Sequence, residues 1–460
     1  MAQTDMTTGN IRKHLINYAI PLVLGNIFQL TYNMVDSVIA GRFIGREALA
    51  AEGIASPVMN IVILGMSGIC MGAGVLMSEF FGAKNYKNLK KEMSTVSVFG
   101  LIFSIFIALF GALFTKPLLR LVNVPHELLS MACIYLRIIF IGAPFTYFYN
   151  ALSSALKSIG DSKTPLKFLM LSSVLNGVLD IIFIGFLGFG IVCSAVTTVA
   201  AEAVSALLSI LYIYCKVPIL RLGAGEFVID RGLLTKTLRY GSVTALQQSC
   251  QPIGKLLIQS CVNSLGIDVI AAYNAVTRID DFAFTPEQSI SHAITTFAAQ
   301  NKGAANAKAK ENNGEHTKAG EKLYARVRAG FAQGMRLEFL YWVLICAVTL
   351  VFRRLIMSIF VTGEGSENII DIGSRYLFTM AFFYMLPAFT NGVQGFFRGM
   401  GKLKTTLLCT FIQTSLRVIF TFILAPLFGI YGITFACAVG WIVMLLYEIP
   451  YYFRYMKRGR

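Results

Sequence analysis

The sequence predicts an all-α polytopic membrane protein of twelve transmembrane helices, arranged as two six-helix bundles related by pseudo-twofold symmetry around a central cleft. Three observations predict it. Of 460 residues 56% are apolar and only 14% charged, where a soluble globular chain carries about 25% charged residues, and the mean hydropathy is +0.66. Apolar runs long enough to cross a bilayer core of ~30 Å, about 20 residues each, recur along the whole chain. The second half repeats features of the first.

The runs fall in order near 15–40, 48–79, 94–114, 128–153, 166–189, 191–215, 238–264, 267–299, 331–352, 371–396, 405–427 and 430–453. The first follows a polar start, MAQTDMTTGNIRKHL, with no small-residue cleavage site, so it is expected to stay in the protein. Short turns at Gly190, Gly266 and Gly429 separate three pairs of runs. Twelve spans place both termini on one side, and the basic residues say which. With the N-terminus inside, 28 of the 40 Lys and Arg residues lie on inner segments, six on outer loops and six within spans. That bias predicts a multi-pass cell-membrane protein with both termini cytoplasmic. It also accounts for the net charge of +16, so no nucleic-acid partner is expected.

The repeat has a measurable register. Gly45-x-x-Ala48-Leu49-Ala50-Ala51 aligns with Gly266-x-x-Val269-Ile270-Ala271-Ala272, and Gly82-Ala83-Lys84-Asn85 with Gly303-Ala304-Ala305-Asn306, both at an offset of 221. Asn150 and Lys157-x2-Gly160-x2-Lys163-Thr164 align with Asn391 and Arg398-x2-Gly401-x2-Lys404-Thr405 at an offset of 241. Residues 1–217 are therefore expected to form an N-terminal bundle, 218–237 a cytoplasmic linker and 238–460 a C-terminal bundle. The growth in offset is assigned to a cytoplasmic loop insertion at about 301–330, helical in part. Six spans repeated after six with one orientation predict alternating access around the cleft.

Enzymatic chemistry is not expected. The nine cysteines lie singly in apolar segments and the four histidines are scattered, so neither a metal-ligand spacing nor a hydrolase triad is present. No cofactor is expected.

Ionisable groups inside the spans are costly, and normally face the bundle interior or water. Asn26, Gln29, Asn33 and Asp36 fall within an arc of roughly 80° on the first span. Asn176 and Asp180 are i, i+4 neighbours on the fifth. Position 36 pairs by offset with Leu257, Asp180 with Thr421 and Asn176 with Arg417, so these acids are specific to the N-terminal half and mark Asp36 and Asp180 as functional candidates. The alternative is that such groups only hydrogen-bond helix to helix. In the C-terminal half, Gln251 and Lys255 lie on the seventh span, and Arg278, Asp280, Asp281 and Glu287 on the eighth. Lys255 and Arg278 are expected to pair with Asp280, Asp281 or Glu287, by charge neutralisation or as part of a substrate surface.

Pro21-x3-Gly25-Asn26-x2-Gln29-x2-Tyr32-Asn33-x-Val35-Asp36, Gly82-Ala83-Lys84-Asn85, Lys157-x2-Gly160-Asp161-x-Lys163-Thr164-Pro165, Asn176-x3-Asp180, Ala271-Ala272-Tyr273, Arg278-Ile-Asp280 and Gln300-Asn301-x-Gly303-Ala304 resemble the multidrug and toxic compound extrusion (MATE) family of prokaryotes. The resemblance covers nearly the whole chain. It implies secondary antiport: export of small organic, often cationic, compounds in exchange for inward Na⁺ or H⁺, by a protein functional as a monomer in the bilayer. It implies a cation site at Asp36, Asn176, Asp180 and Thr198, with Na⁺ possible as the ion, supported by Gln29, Asn33, Tyr135 and Asn150. Some members instead carry acids on the seventh and tenth spans. Here those spans offer Gln251, Lys255, Asn391 and Gln394, with Asp371 only at the outer end of the tenth, which favours the N-bundle site of the DinF-like branch. A lipid-linked oligosaccharide flippase, of the same two-bundle architecture, is the alternative that the intramembrane Lys255, Arg278 and Arg417 keep open.

Overall fold

The computed structural model describes residues 3–39, 43, 46–121, 124–311, 318–361 and 366–458. Among them are thirteen α-helices and no strand. They are α1 (Ile11–Ile39), α2 (Arg46–Gly82), α3 (Tyr86–Leu121), α4 (His126–Ser158), α5 (Lys163–Asp180), α6 (Ile191–Lys216), α7 (Arg231–Val262), α8 (Ile267–Glu311), α9 (Lys318–Phe360), α10 (Ser366–Phe383), α11 (Met385–Gly399), α12 (Leu403–Phe428) and α13 (Ile430–Arg458). A π-helical turn, Ile181–Phe186, continues α5.

Nine of the described helices are long and apolar enough to cross a membrane, and α10 with α11 makes a further span bent by 46°. The bend has a local cause. Pro387 lacks an N–H and its ring crowds the carbonyl of Phe383, the last residue of α10. The long helices α7 and α8 complete the twelve. They fall short on apolarity because of the polar residues noted above, and a helix this polar is stable in a bilayer only where that face meets protein or a water-filled cleft.

The repeat is visible in backbone geometry. Gly160 and Gly401, 241 residues apart, both turn left-handed, at φ 85° and 74°. In each turn the glycine N–H bonds three residues back, to Lys157 O and Arg398 O at 3.0 Å, and the next N–H reaches Leu156 O at 3.0 Å and Phe397 O at 2.8 Å. These are paired helix stops of one design. Gly188 and Gly429, at the same offset, are also left-handed, at φ 70° and 57°. The earlier register behaves differently: α2 stops at Gly82 and turns through Lys84 at φ 55°, whereas the equivalent Ala305 continues within α8. The expected loop insertion is therefore helix through Glu311 and again from Lys318, as its Ala, Lys and Glu content favours.

The chain divides into two compact units, Met1–Met6 with Leu24–Ala245, and Thr7–Val23 with Leu246–Arg460. The divisions fall inside α1 and α7 rather than in the 218–237 stretch. That stretch belongs to the first unit because it is strapped to α3: Ser94 Oγ donates to Val228 O at 2.8 Å, the Asp230 N–H donates to Thr95 Oγ1 at 3.1 Å, and Lys90 pairs with Glu226 at 3.3 Å. The Gly223 N–H, and after it Lys90, hold the Glu226 carboxyl below its ordinary range, so the strap keeps its charge at neutral pH. In the second unit the start of α1 is held by a Tyr18–Thr296 hydroxyl pair at 2.9 Å and by Arg326 donating to Thr8 O at 2.6 Å.

Candidate functional site

In the first unit α5 ends on Asp180, which is fully buried. Its Oδ2 accepts from Asn176 Nδ2 at 2.9 Å, one turn earlier on the same helix. Its Oδ1 accepts from the Thr197 hydroxyl of α6. Tyr32 of α1 donates its hydroxyl to Asn176 Oδ1. Helices α5 and α6 thus meet on one carboxylate through neutral donors, and α1 joins them through Asn176. Beyond Asp180 the backbone widens into the π-helical turn, where the Leu187 N–H reaches back five residues to Ile182 O at 3.1 Å; such turns are common at functional sites.

Of the residues expected at a cation site, the structure brings Asn176 and Asp180 together. Thr198 turns its hydroxyl to Ser194 O at 2.9 Å; it is Thr197 that reaches Asp180. Asp36 lies in the last turns of α1, and its side chain is outside the described residues. Gln29 and Asn33 are exposed on α1. Tyr135 is buried in an apolar cluster with Ala51, Ala55 and Ala195. Asn150 donates to Thr146 O of its own helix at 2.8 Å. Glu202 of α6, absent from the sequence reading, accepts from the Thr146 hydroxyl; an acid inside an apolar run was the signal for it.

The second unit carries a larger polar set. Lys255 pairs with Asp281 at 2.6 Å, as its charge predicted. Gln251 donates to Gln413 Oε1 at 3.2 Å. Arg278 is exposed and makes no ion pair among the described residues. Asp280 is buried and accepts from Tyr376 at 2.8 Å and Tyr384 at 2.7 Å. Tyr384 lies at the break between α10 and α11. Arg417 of α12 is the cation whose field reaches Asp280 most strongly, ahead of Lys255. Hydrogen bonds to a charged group contribute about 1.5–3 kcal/mol each. Tyr376→Phe and Tyr384→Phe are each expected to lower the unfolding temperature in detergent, and the double change to lower it further; unchanged melting in both single variants would count against this role. No group of three or more His, Cys, Asp or Glu side chains is placed to hold a metal ion among the described residues.

Membrane-length helices, a twofold repeat and buried acids on polar helices define a multi-pass membrane protein, and its family is one of transporters, not enzymes. The chain belongs to the MatE family, whose sequence profile matches residues 21–182, 243–313 and 317–423. It is 27% identical over 465 residues to the probable multidrug resistance protein YpnP of Bacillus subtilis, covering 100% of this chain and 98% of that one. It is 26% identical over 445 residues to YoeA, a second probable multidrug resistance protein of the same organism, covering 95% and 92%. A solved outward-facing multidrug resistance MATE family transporter of the MOP superfamily superposes with a TM-score of 0.87, at 22% identity over 97% of this chain and 96% of that chain. The chain's solved structural neighbours have the twelve-helix, two-bundle fold that the sequence predicts.

Proposed function

We propose that this protein is a secondary active antiporter that exports small organic, often cationic, compounds in exchange for inward Na⁺ or H⁺ by alternating access. It works as a monomer of the DinF-like branch in the cell membrane, with both termini cytoplasmic, and its cation site lies in the N-terminal half. The observation that carries the reading is Asp180, buried with each oxygen held by a neutral donor and linked through Asn176 to Tyr32 of α1. A proton taken up by the buried carboxylate neutralises its charge, while Na⁺ satisfies the same oxygens by coordination. Either event releases Asn176 or Thr197 from Asp180, and the Tyr32 contact passes that change to α1. A cation that prefers one arrangement of α1 shifts the equilibrium between access states and changes substrate affinity by the same coupling. The multidrug names of the B. subtilis relatives support the substrate class.

The flippase alternative needs basic side chains free to hold a pyrophosphate. Lys255 is paired with Asp281 and Arg417 is buried, while Arg278 is exposed and makes no ion pair among the described residues, so competition by a pyrophosphate decides between the two readings. Purified protein in liposomes, loaded with a cationic dye and given Na⁺ and H⁺ gradients separately, is expected to move dye under one of them. Dye movement under neither, or its suppression by a polyprenyl pyrophosphate, overturns the proposal.

A further inference from the structure

The second unit also buries acids that make no ion pair with a cation among the described residues. Glu287 of α8 and Glu338 of α9 are both 0% exposed. Glu287 Oε2 receives only a long contact from Asn391 Nδ2, at 3.4 Å, and its Oε1 has no partner. Neither oxygen of Glu338 has one. The helices close tightly here: a Cβ on Gly392, the neighbour of Asn391 on α11, would stand 2.5 Å from Met335 Sδ and 3.6 Å from Glu338 Cγ.

The groups facing the pair can be named helix by helix. From α8 comes Asp280, from α9 Tyr341, from the α10–α11 junction Tyr384 and from α11 Asn391. Glu338 has Glu287 as its charged neighbour. The two tyrosine hydroxyls are already committed, Tyr341 to Ala283 O at 2.7 Å and Tyr384 to Asp280. No lysine, arginine or histidine pairs with either glutamate among the described residues.

An ionised carboxylate buried without a partner costs several kcal/mol even after relaxation, and two side by side cost more. A carboxylate only accepts hydrogen bonds; taking up a proton makes it a donor as well. We propose that Glu287 and Glu338, which meet the neighbouring residues Asn391 and Gly392 of α11, form a proton-binding site in the C-terminal half, a proton replacing the cation that neither buried carboxyl has. The step forms one O–H bond per proton taken from water and breaks none in the protein. A metal ion is disfavoured because a hard cation collects about six oxygens, and this site offers three unpartnered ones. The site is separate from Asp180, and its existence does not depend on the antiport reading.

Infrared spectroscopy of the full-length protein in liposomes tests this without a reagent having to reach the site. A protonated carboxyl has a carbonyl band distinct from that of a carboxylate. Wild type titrated over roughly pH 5 to 9 is expected to show acid bands that shift in D₂O, with one component lost in Glu338→Gln and also in Glu287→Gln. Glu338→Met, which keeps the volume without the charge, serves where the amide variant does not fold. Overturning results are spectra in which every folded variant retains all the wild-type acid bands, or loss of the component on adding NaCl at fixed pH, which assigns the site to sodium. Failure of dye transport in liposomes leaves these bands unaffected, so the two proposals fail separately.

Discussion

Asp180→Asn is expected to abolish ion-driven efflux while leaving a folded protein. The side chain is fully buried, so an isosteric amide keeps the packing, and removing a buried charge is often neutral or stabilising. What it removes is the ability to bind a proton or Na⁺. The amide also presents one NH₂ where the carboxylate offered acceptors to both Asn176 and Thr197, so one contact is lost in every state. Efflux of a cationic dye from energised vesicles is expected to fall to background, with a melting temperature near wild type in detergent. Wild-type efflux by a well-expressed Asp180→Asn protein would falsify the assignment. A neighbouring pair separates the structure from the sequence pattern. Thr197→Ala removes a donor to Asp180 and is expected to weaken coupling, whereas Thr198→Ala removes only a bond to Ser194 O and is expected to transport normally.

The largest stability effect is expected where α2 meets the start of α7 within the first unit. A Cβ on Gly72 would stand 2.6 Å from the backbone N and 2.9 Å from the Cα of Gly241, and one on Gly68 would stand 2.6 Å from the backbone N of Ala245. Gly68 and Gly72 are spaced four apart, as are Gly241 and Ala245, so the helices approach backbone to backbone through a small-x-x-x-small face. Gly72→Leu puts a branched side chain against main chain that has no rotamer with which to yield. Overpacking commonly costs about 1–3 kcal/mol, and this site is expected at the top of that range or beyond. Gly65→Leu is the matched control: it lies on the same helix with nothing within 4 Å of its Cβ. Thermal unfolding and size-exclusion profiles are expected to show Gly72→Leu unstable or aggregated and Gly65→Leu close to wild type. Equal melting of the two would remove the close approach as a determinant of the fold.

Much of this was legible in the chain. The twelve runs each fall in one helix or in the bent α10–α11 pair, because the span length and composition that a bilayer demands are local properties. The repeat was legible because its turns need glycine: Gly160 and Gly401 take the same left-handed conformation that few other residues adopt. Asn176 with Asp180 followed from helical spacing alone. Thr197 and Thr198 are adjacent and chemically identical, so the choice between them depends on how α6 is rotated against α5. Lys255 was rightly given an acidic partner from nearby in the sequence, Asp281. Asp280 was not so readable, because its partners Tyr376 and Tyr384 are 96 and 104 residues away.

Composition, span length and periodicity by themselves therefore determined the class of protein, the count of spans and the halves in which the acids lie. The tertiary structure alone decided which acids are partnered. Glu338 in an apolar run was as visible as Asp180, but only the packing of α8, α9 and α11 leaves it and Glu287 without a cation while Lys255 pairs with Asp281. The physical reason is one of range. Bilayer solvation acts on each segment according to its own residues, whereas the state of a buried charge depends on the few groups within a few ångströms, brought there by helix rotations that no local pattern encodes.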